Sequence, residues 1–224
     1  MKKTVFILIV SLVSVAVFPQ SSPPGEKYTK AMEKLVPSID TLWNGDGLRD
    51  LSNSFERIAD AEKTQWLPYY YAALARVNAG YTLLNGSNAM GGNADKTDPD
   101  AKKAEELLNK AEELSKDNSE IFVVRKMIAI LYLVGDPMNR YMTYGPAASQ
   151  ALETARKLNP ENPRVYLQEG LDKYTTPEQY GGNKEEGKKI LEEAIKKYEA
   201  FKPESSIHPN WGLNLAKRFI AGGQ

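Results

Sequence analysis

The stretches AEELLNKA (104–111), ASQALETA (148–155) and GKKILEEA (187–194) decide how this chain is built. Each begins with a small residue, carries leucine four positions later and alanine three after that. The copies are Ala104/Leu108/Ala111, Ala148/Leu152/Ala155 and Gly187/Leu191/Ala194. On a helix, positions i, i+4 and i+7 share a face, so each copy is a narrow stripe that a neighbouring helix can approach closely. Glu105, Glu106, Glu112, Glu113, Glu185, Glu186, Glu192 and Glu193 lie between and around lysines at helical spacing, the pattern of a solvated face. A recurring stripe of this kind predicts an array of stacked helices in place of a single enzyme-like core.

Outward from these copies the chain is helical in pattern almost throughout. Helices are expected near 26–43, 48–62, 65–84, 99–116, 119–134, 146–158, 162–174, 184–201 and 209–221. Pro37 kinks or divides the first. Asp98-Pro99 reads as a cap followed by proline in the first turn, Gly145-Pro146 as another helix start, and Asn183 with Glu186 has capping-box spacing. Asn159-Pro160-Glu161-Asn162-Pro163 is a hard stop. Gly80 and Gly170 lie inside helical stretches, where a glycine costs about 1 kcal/mol against alanine, so close helix packing is their expected role. Paired in order, the helices make four hairpins, and a last helix around Trp211, Leu213, Leu215 and Phe219 covers the open end.

Ala148, Leu152, Ala155 and Pro160, with Tyr166 and Gly170 in the following helix, resemble the tetratricopeptide-repeat family. The resemblance implies an all-α fold: a right-handed α-solenoid of about four tetratricopeptide-like hairpins, with a C-terminal capping helix and enlarged intra-repeat loops. It also implies a binding role. The spacing departs from the family's period of about 34 residues, since Ala111 to Ala155 is 44 residues and Ala155 to Ala194 is 39.

The surplus falls in Asn85–Asp98, Gly135–Gly145 and Thr175–Gly182, each expected to join the two helices of a unit. Met90, Arg140, Tyr141, Tyr144 and Tyr180 make that edge a candidate binding surface, although Gly and Asn also serve plain turns and the Tyr and Met side chains can fold back on the core. A second candidate is a concave groove. If Tyr69, Phe122 and Tyr166 occupy equivalent core positions, Tyr70, Leu74, Val123, Met127, Leu167 and Leu171 face that groove. Such an apolar lining suits a peptide, or else is filled by the protein's own loops or final helix.

Residues 1–20 read as a secretory signal: Lys2 and Lys3 precede an apolar run from Val5 to Phe18, with cleavage after Ala16 or nearer Gln20. An uncleaved anchor is the alternative, but the run is shorter than the roughly 20 residues that span a bilayer. Residues 21–25 are a linker and 26–224 a single helical-repeat domain. Removing Lys2 and Lys3 leaves 27 basic against 29 acidic residues, which gives no positive field for nucleic acid. There is no cysteine, hence no disulfide and no thiolate metal site.

His208 is the one histidine and sits in a Ser-Ser-Ile-His-Pro-Asn turn with no nucleophile motif. Asn93–Asp100 is rich in oxygen ligands but lacks the glycine and distant glutamate of a calcium loop. No catalytic residue, metal or cofactor is expected. The chain reads as an exported, non-enzymatic binder of a protein or peptide, periplasmic or secreted, with no membrane span after cleavage. The alternatives are a structural subunit of an envelope assembly and, less favoured, a helical-repeat hydrolase with its site among the loops.

Overall fold

The computed structural model describes residues 25–84 and 92–222. The expected signal, most of the linker and Met90 lie outside the described residues. Among the described residues all regular structure is helical: α1 (Glu26–Leu35), α2 (Gly45–Glu62), α3 (Trp66–Thr82), α4 (Ala94–Leu114), α5 (Ser119–Gly135), α6 (Pro137–Leu158), α7 (Pro163–Thr175), α8 (Lys184–Ala200) and α9 (Leu213–Ile220). Short 3-10 turns occupy Val36–Asp40 and Glu178–Tyr180. Pro37 therefore ends α1 and tightens the next turn to 3-10 geometry, as its ring forbids a further α-turn.

Each helix packs chiefly on its neighbours in the chain, α2 on α3, α3 on α4, α4 on α5, α5 on α6, α7 on α8 and α8 on α9; α3, α5 and α7 also touch in series. The apolar stripes are the seams. Ala104, Leu108, Ala111, Ala155, Leu191 and Ala194 are fully buried and Ala148 nearly so. The helix glycines sit at close approaches. A Cβ on Gly80 would lie 2.5 Å from Leu131 Cδ2, and one on Gly170 would lie 2.8 Å from Leu191 Cγ. α3 and α5, apolar on every side, lie deepest, while Glu and Lys of α4 and α8 face water.

Two helix starts differ from expectation. α4 begins at Ala94 and carries Pro99 inside it, and α6 begins at Pro137 and carries Pro146 inside it. The cap that starts α6 is Asp136, whose carboxylate accepts from the Asn139 N–H, with Pro137 in the first turn. Asp98 caps nothing; its carboxylate is taken by a two-toothed pair with Arg140, at 2.6 and 2.7 Å. Residues 137–145 are accordingly helix and not an intra-repeat loop. Elsewhere the punctuation holds: Asn183 accepts from the Glu186 N–H at 3.0 Å, and Asn162 caps α7 through the Arg164 N–H at 3.0 Å.

Candidate functional site

The inner face of α3, α5 and α7 has two ends. At one end lie Tyr70, Leu74, Val123 and Leu167, all without solvent exposure. They were expected to face a groove that either takes a peptide or is filled by the protein's own loops or final helix, and here a segment of the chain itself covers them. Residues 201–212, which form no helix, run across this face and join the same apolar core through Ile207 and Trp211. Buried irregular backbone needs hydrogen-bond partners, and tyrosines supply them. Tyr71 Oη donates to the Ile207 carbonyl at 3.0 Å and Tyr198 Oη to the Trp211 carbonyl at 2.9 Å. Trp211 Nε1 donates to Tyr70 Oη at 2.8 Å.

Beneath this strap is a buried ion pair. Arg164 has no exposed surface, and its Nε and Nη2 each lie 2.6 Å from a Glu120 oxygen. Glu120 also accepts from Asn162 Nδ2 at 2.8 Å and Tyr70 Oη at 3.2 Å. Phe201, Tyr198 and Trp211 place their rings around the guanidinium, Phe201 nearest at 4.7 Å. Burial opposes the Arg164 charge, but the Glu120 carboxylate outweighs it and holds the guanidinium protonated.

At the other end the face stays open, as a cavity of about 560 Å³. Its floor carries Tyr81 of α3, Met127 and Ile130 of α5, and Leu171 of α7; its roof carries Leu42 and Trp43 before α2, and Leu215 and Phe219 of α9. Met127 and Leu171 are thus the two groove residues that reach an open space. Tyr81 Oη donates to the Met127 carbonyl at 2.8 Å, and burial together with the Asp172 charge pushes its phenol far above the ordinary range, so it stays a neutral donor. Lys126, 2 % exposed, reaches Asp172 at 2.6 Å and Gln168 at 3.2 Å. Asp40 accepts the Gly212 N–H at 3.2 Å, tying the segment after α1 to the start of α9. Gly212 takes φ 104°, which swings α9 over the cavity; a Cβ there would lie 2.6 Å from Leu167 Cδ2 and strike Tyr198. The cavity has the size and apolar-with-few-polar lining of a small-molecule site, in the range of roughly 300–1,000 Å³.

No family model and no curated protein matches the chain. Among solved structures, the HusA haemophore from Porphyromonas gingivalis aligns over 88% of this chain and 94% of its own, with 31% identity and a TM-score of 0.73. The chain belongs to the family of that haemophore. Among the described residues no helix is long and apolar enough to cross a membrane.

Among the described residues, the expected loop-edge residues fall on two different elements. Arg140, Tyr141 and Tyr144 lie on the first turns of α6. Arg140 is engaged with Asp98 and also donates to the Tyr132 carbonyl at 3.2 Å, and Tyr144 stacks on Tyr132 with ring centres 4.8 Å apart. Tyr141 is exposed beside Met138 and Met142, and Tyr180 is exposed separately on the turn after α7. His208 lies off the cavity, against Ser205 at 3.1 Å, Glu204 at 3.1 Å and the Trp66 ring. Ser205 and Glu204 are exposed turn residues, and Ser205 Oγ accepts from the Ile207 N–H at 3.4 Å. Sequence reasoning did not single out Trp43, Tyr81, Lys126 or Arg218. The signal available was the uninterrupted apolar character of α3 and α5, too much for helices covered on one side only.

Proposed function

We propose that this protein is an exported, non-enzymatic carrier of haem or a related porphyrin, held in the cavity between α3, α5, α7 and α9. The observation that carries this is a roofed, apolar cavity in a chain of the same family as a haemophore. A flat macrocycle would lie against Met127, Ile130, Leu171 and Phe219 and bury most of its faces there. No histidine or cysteine lines the cavity, and recognition is assigned to the ring system and its carboxylates. Haem is cargo here and takes part in no step of chemistry.

The scaffold is read as a tetratricopeptide-like right-handed solenoid, on the stripe spacing and on the serial contact of α3, α5 and α7. An extended peptide in the groove is disfavoured, because residues 201–212 occupy the length it would need. A protein partner has a different face to meet: Met138, Tyr141 and Met142 are exposed at i, i+3 and i+4 on α6, and such apolar helix faces mark contact sites. Periplasmic or secreted placement rests on the signal reading of residues 1–20.

Titration of the mature protein with haemin, followed by the Soret band, tests the carrier reading. Saturable binding at micromolar haemin is expected. Leu171→Trp, which fills the floor, is expected to weaken it by about tenfold or more while His208→Ala leaves it unchanged. Absence of any Soret change with the folded wild type sinks the proposal.

A further inference from the structure

Four charged side chains line the cavity: Asp40, Lys126, Asp172 and Arg218. Three of them have partners within the protein. Lys126 and Asp172 form an ion pair at 2.6 Å with only 3% of the lysine side chain exposed. Asp40 faces the Gly212 N–H at the start of α9, where the helix end carries partial positive charge. Arg218 differs. Among the described residues no carboxylate lies within ion-pair distance of it, and its guanidinium instead lies over the Trp43 ring, 4.4 Å from the centre.

We propose that Arg218, stacked on Trp43 at the cavity mouth, is the anion-binding subsite that orients the cargo, with a carboxylate at the mouth and the apolar body inward. This rests on the small-molecule reading of the cavity and names the chemical class it accepts: a planar apolar molecule bearing a carboxylate or similar anion at one edge. The charge balance gives the direction. An uncompensated cation at the mouth attracts an anion, while the interior holds no charge without a partner and favours an apolar body. The stacking matters as well. With its Cζ over the indole and no carboxylate in ion-pair reach, the guanidinium keeps N–H donors for a carboxylate, which an arginine fork can meet with two parallel hydrogen bonds. Trp43 comes from the segment before α2 and Arg218 from α9, so the pair also joins the two parts of the roof.

The experiment compares haemin with haemin dimethyl ester, which has the same ring and no anion, and in parallel anilinonaphthalene sulfonate with its neutral analogue phenylnaphthylamine. Wild type is expected to prefer the anionic member of each pair, by about tenfold. Arg218→Ala closes that gap and leaves the neutral ligands unchanged; Arg218→Lys, which keeps the charge and loses the fork, restores part of it. Lys217→Ala, an exposed cation next to it that does not line the cavity, leaves the gap intact. A gap that persists in Arg218→Ala overturns the assignment, as does an equal loss of neutral and anionic ligands. If wild type binds neither porphyrin, the carrier reading fails and the naphthyl pair alone decides the Arg218 subsite; binding of neither naphthyl compound overturns it too.

Discussion

The two ends of the inner face are made by the same three helices and both carry apolar side chains, yet one is solid and the other hollow. At the solid end an irregular strap lies on α3, α5 and α7, with tyrosine hydroxyls on its carbonyls and Trp211 bonded to Tyr70. At the hollow end the cover is α9, an amphipathic helix whose backbone satisfies itself and which needs no polar anchors in the floor. The contrast teaches that apolar character of a helix face does not decide whether it becomes core or site. The covering segment decides, through how its backbone is satisfied and how closely it can approach.

That contrast can be broken at the strap. Glu120→Gln leaves Arg164 buried without its carboxylate, and about 3–5 kcal/mol of stability is expected to be lost in chemical denaturation. A loss under about 1 kcal/mol would mean the strap is not held by this pair. A smaller effect is expected at the junction of the two ends. Gly212→Ala forces a side chain onto a left-handed backbone against Leu167 and Tyr198, at about 2 kcal/mol, and loosens α9. Its signature is faster hydrogen exchange in 213–220 than in 66–82; uniform exchange across both would count against α9 as a separately hinged roof.

The smallest effect sharpens the comparison through pH. Burial raises the Asp40 pKa above its ordinary 3.8, with the Gly212 N–H and the Arg164 charge pulling the other way. A carboxyl that protonates more readily folded than unfolded lends stability below its unfolded value, and that stability is lost as pH rises through the folded value. Asp40→Asn keeps an acceptor for Gly212 and removes the charge. The variant is expected to be the more stable protein at neutral pH, with the difference vanishing below 3.8. Denaturation midpoints across acidic to neutral pH measure this, and a difference that grows toward acid reverses the sign and defeats it.

Much of the scaffold was legible because its signals are local. The stripe at Ala104/Leu108/Ala111 and its copies are buried seams, Gly80 and Gly170 are close approaches, and Asn183 caps α8 as its spacing predicts. Asp98-Pro99 misled because α4 starts a turn earlier, at Ala94 after Asn93, and Asp98 is drawn away by Arg140, 42 residues distant. The site was less legible. Met127 and Leu171, expected from their spacing to face a groove, line the cavity, but Trp43 and Arg218 are separated by most of the chain and meet only because Asp40 and Gly212 bring their segments together.

The amino-acid sequence by itself determined that the chain folds as packed helices, since periodicity, caps and small residues act within a few positions of one another. Only the tertiary structure decided which part of the apolar face is filled and which is left as a cavity. That choice depends on where residues 201–220 cross α3, α5 and α7, and contacts between segments more than a hundred residues apart leave no periodic trace in the chain.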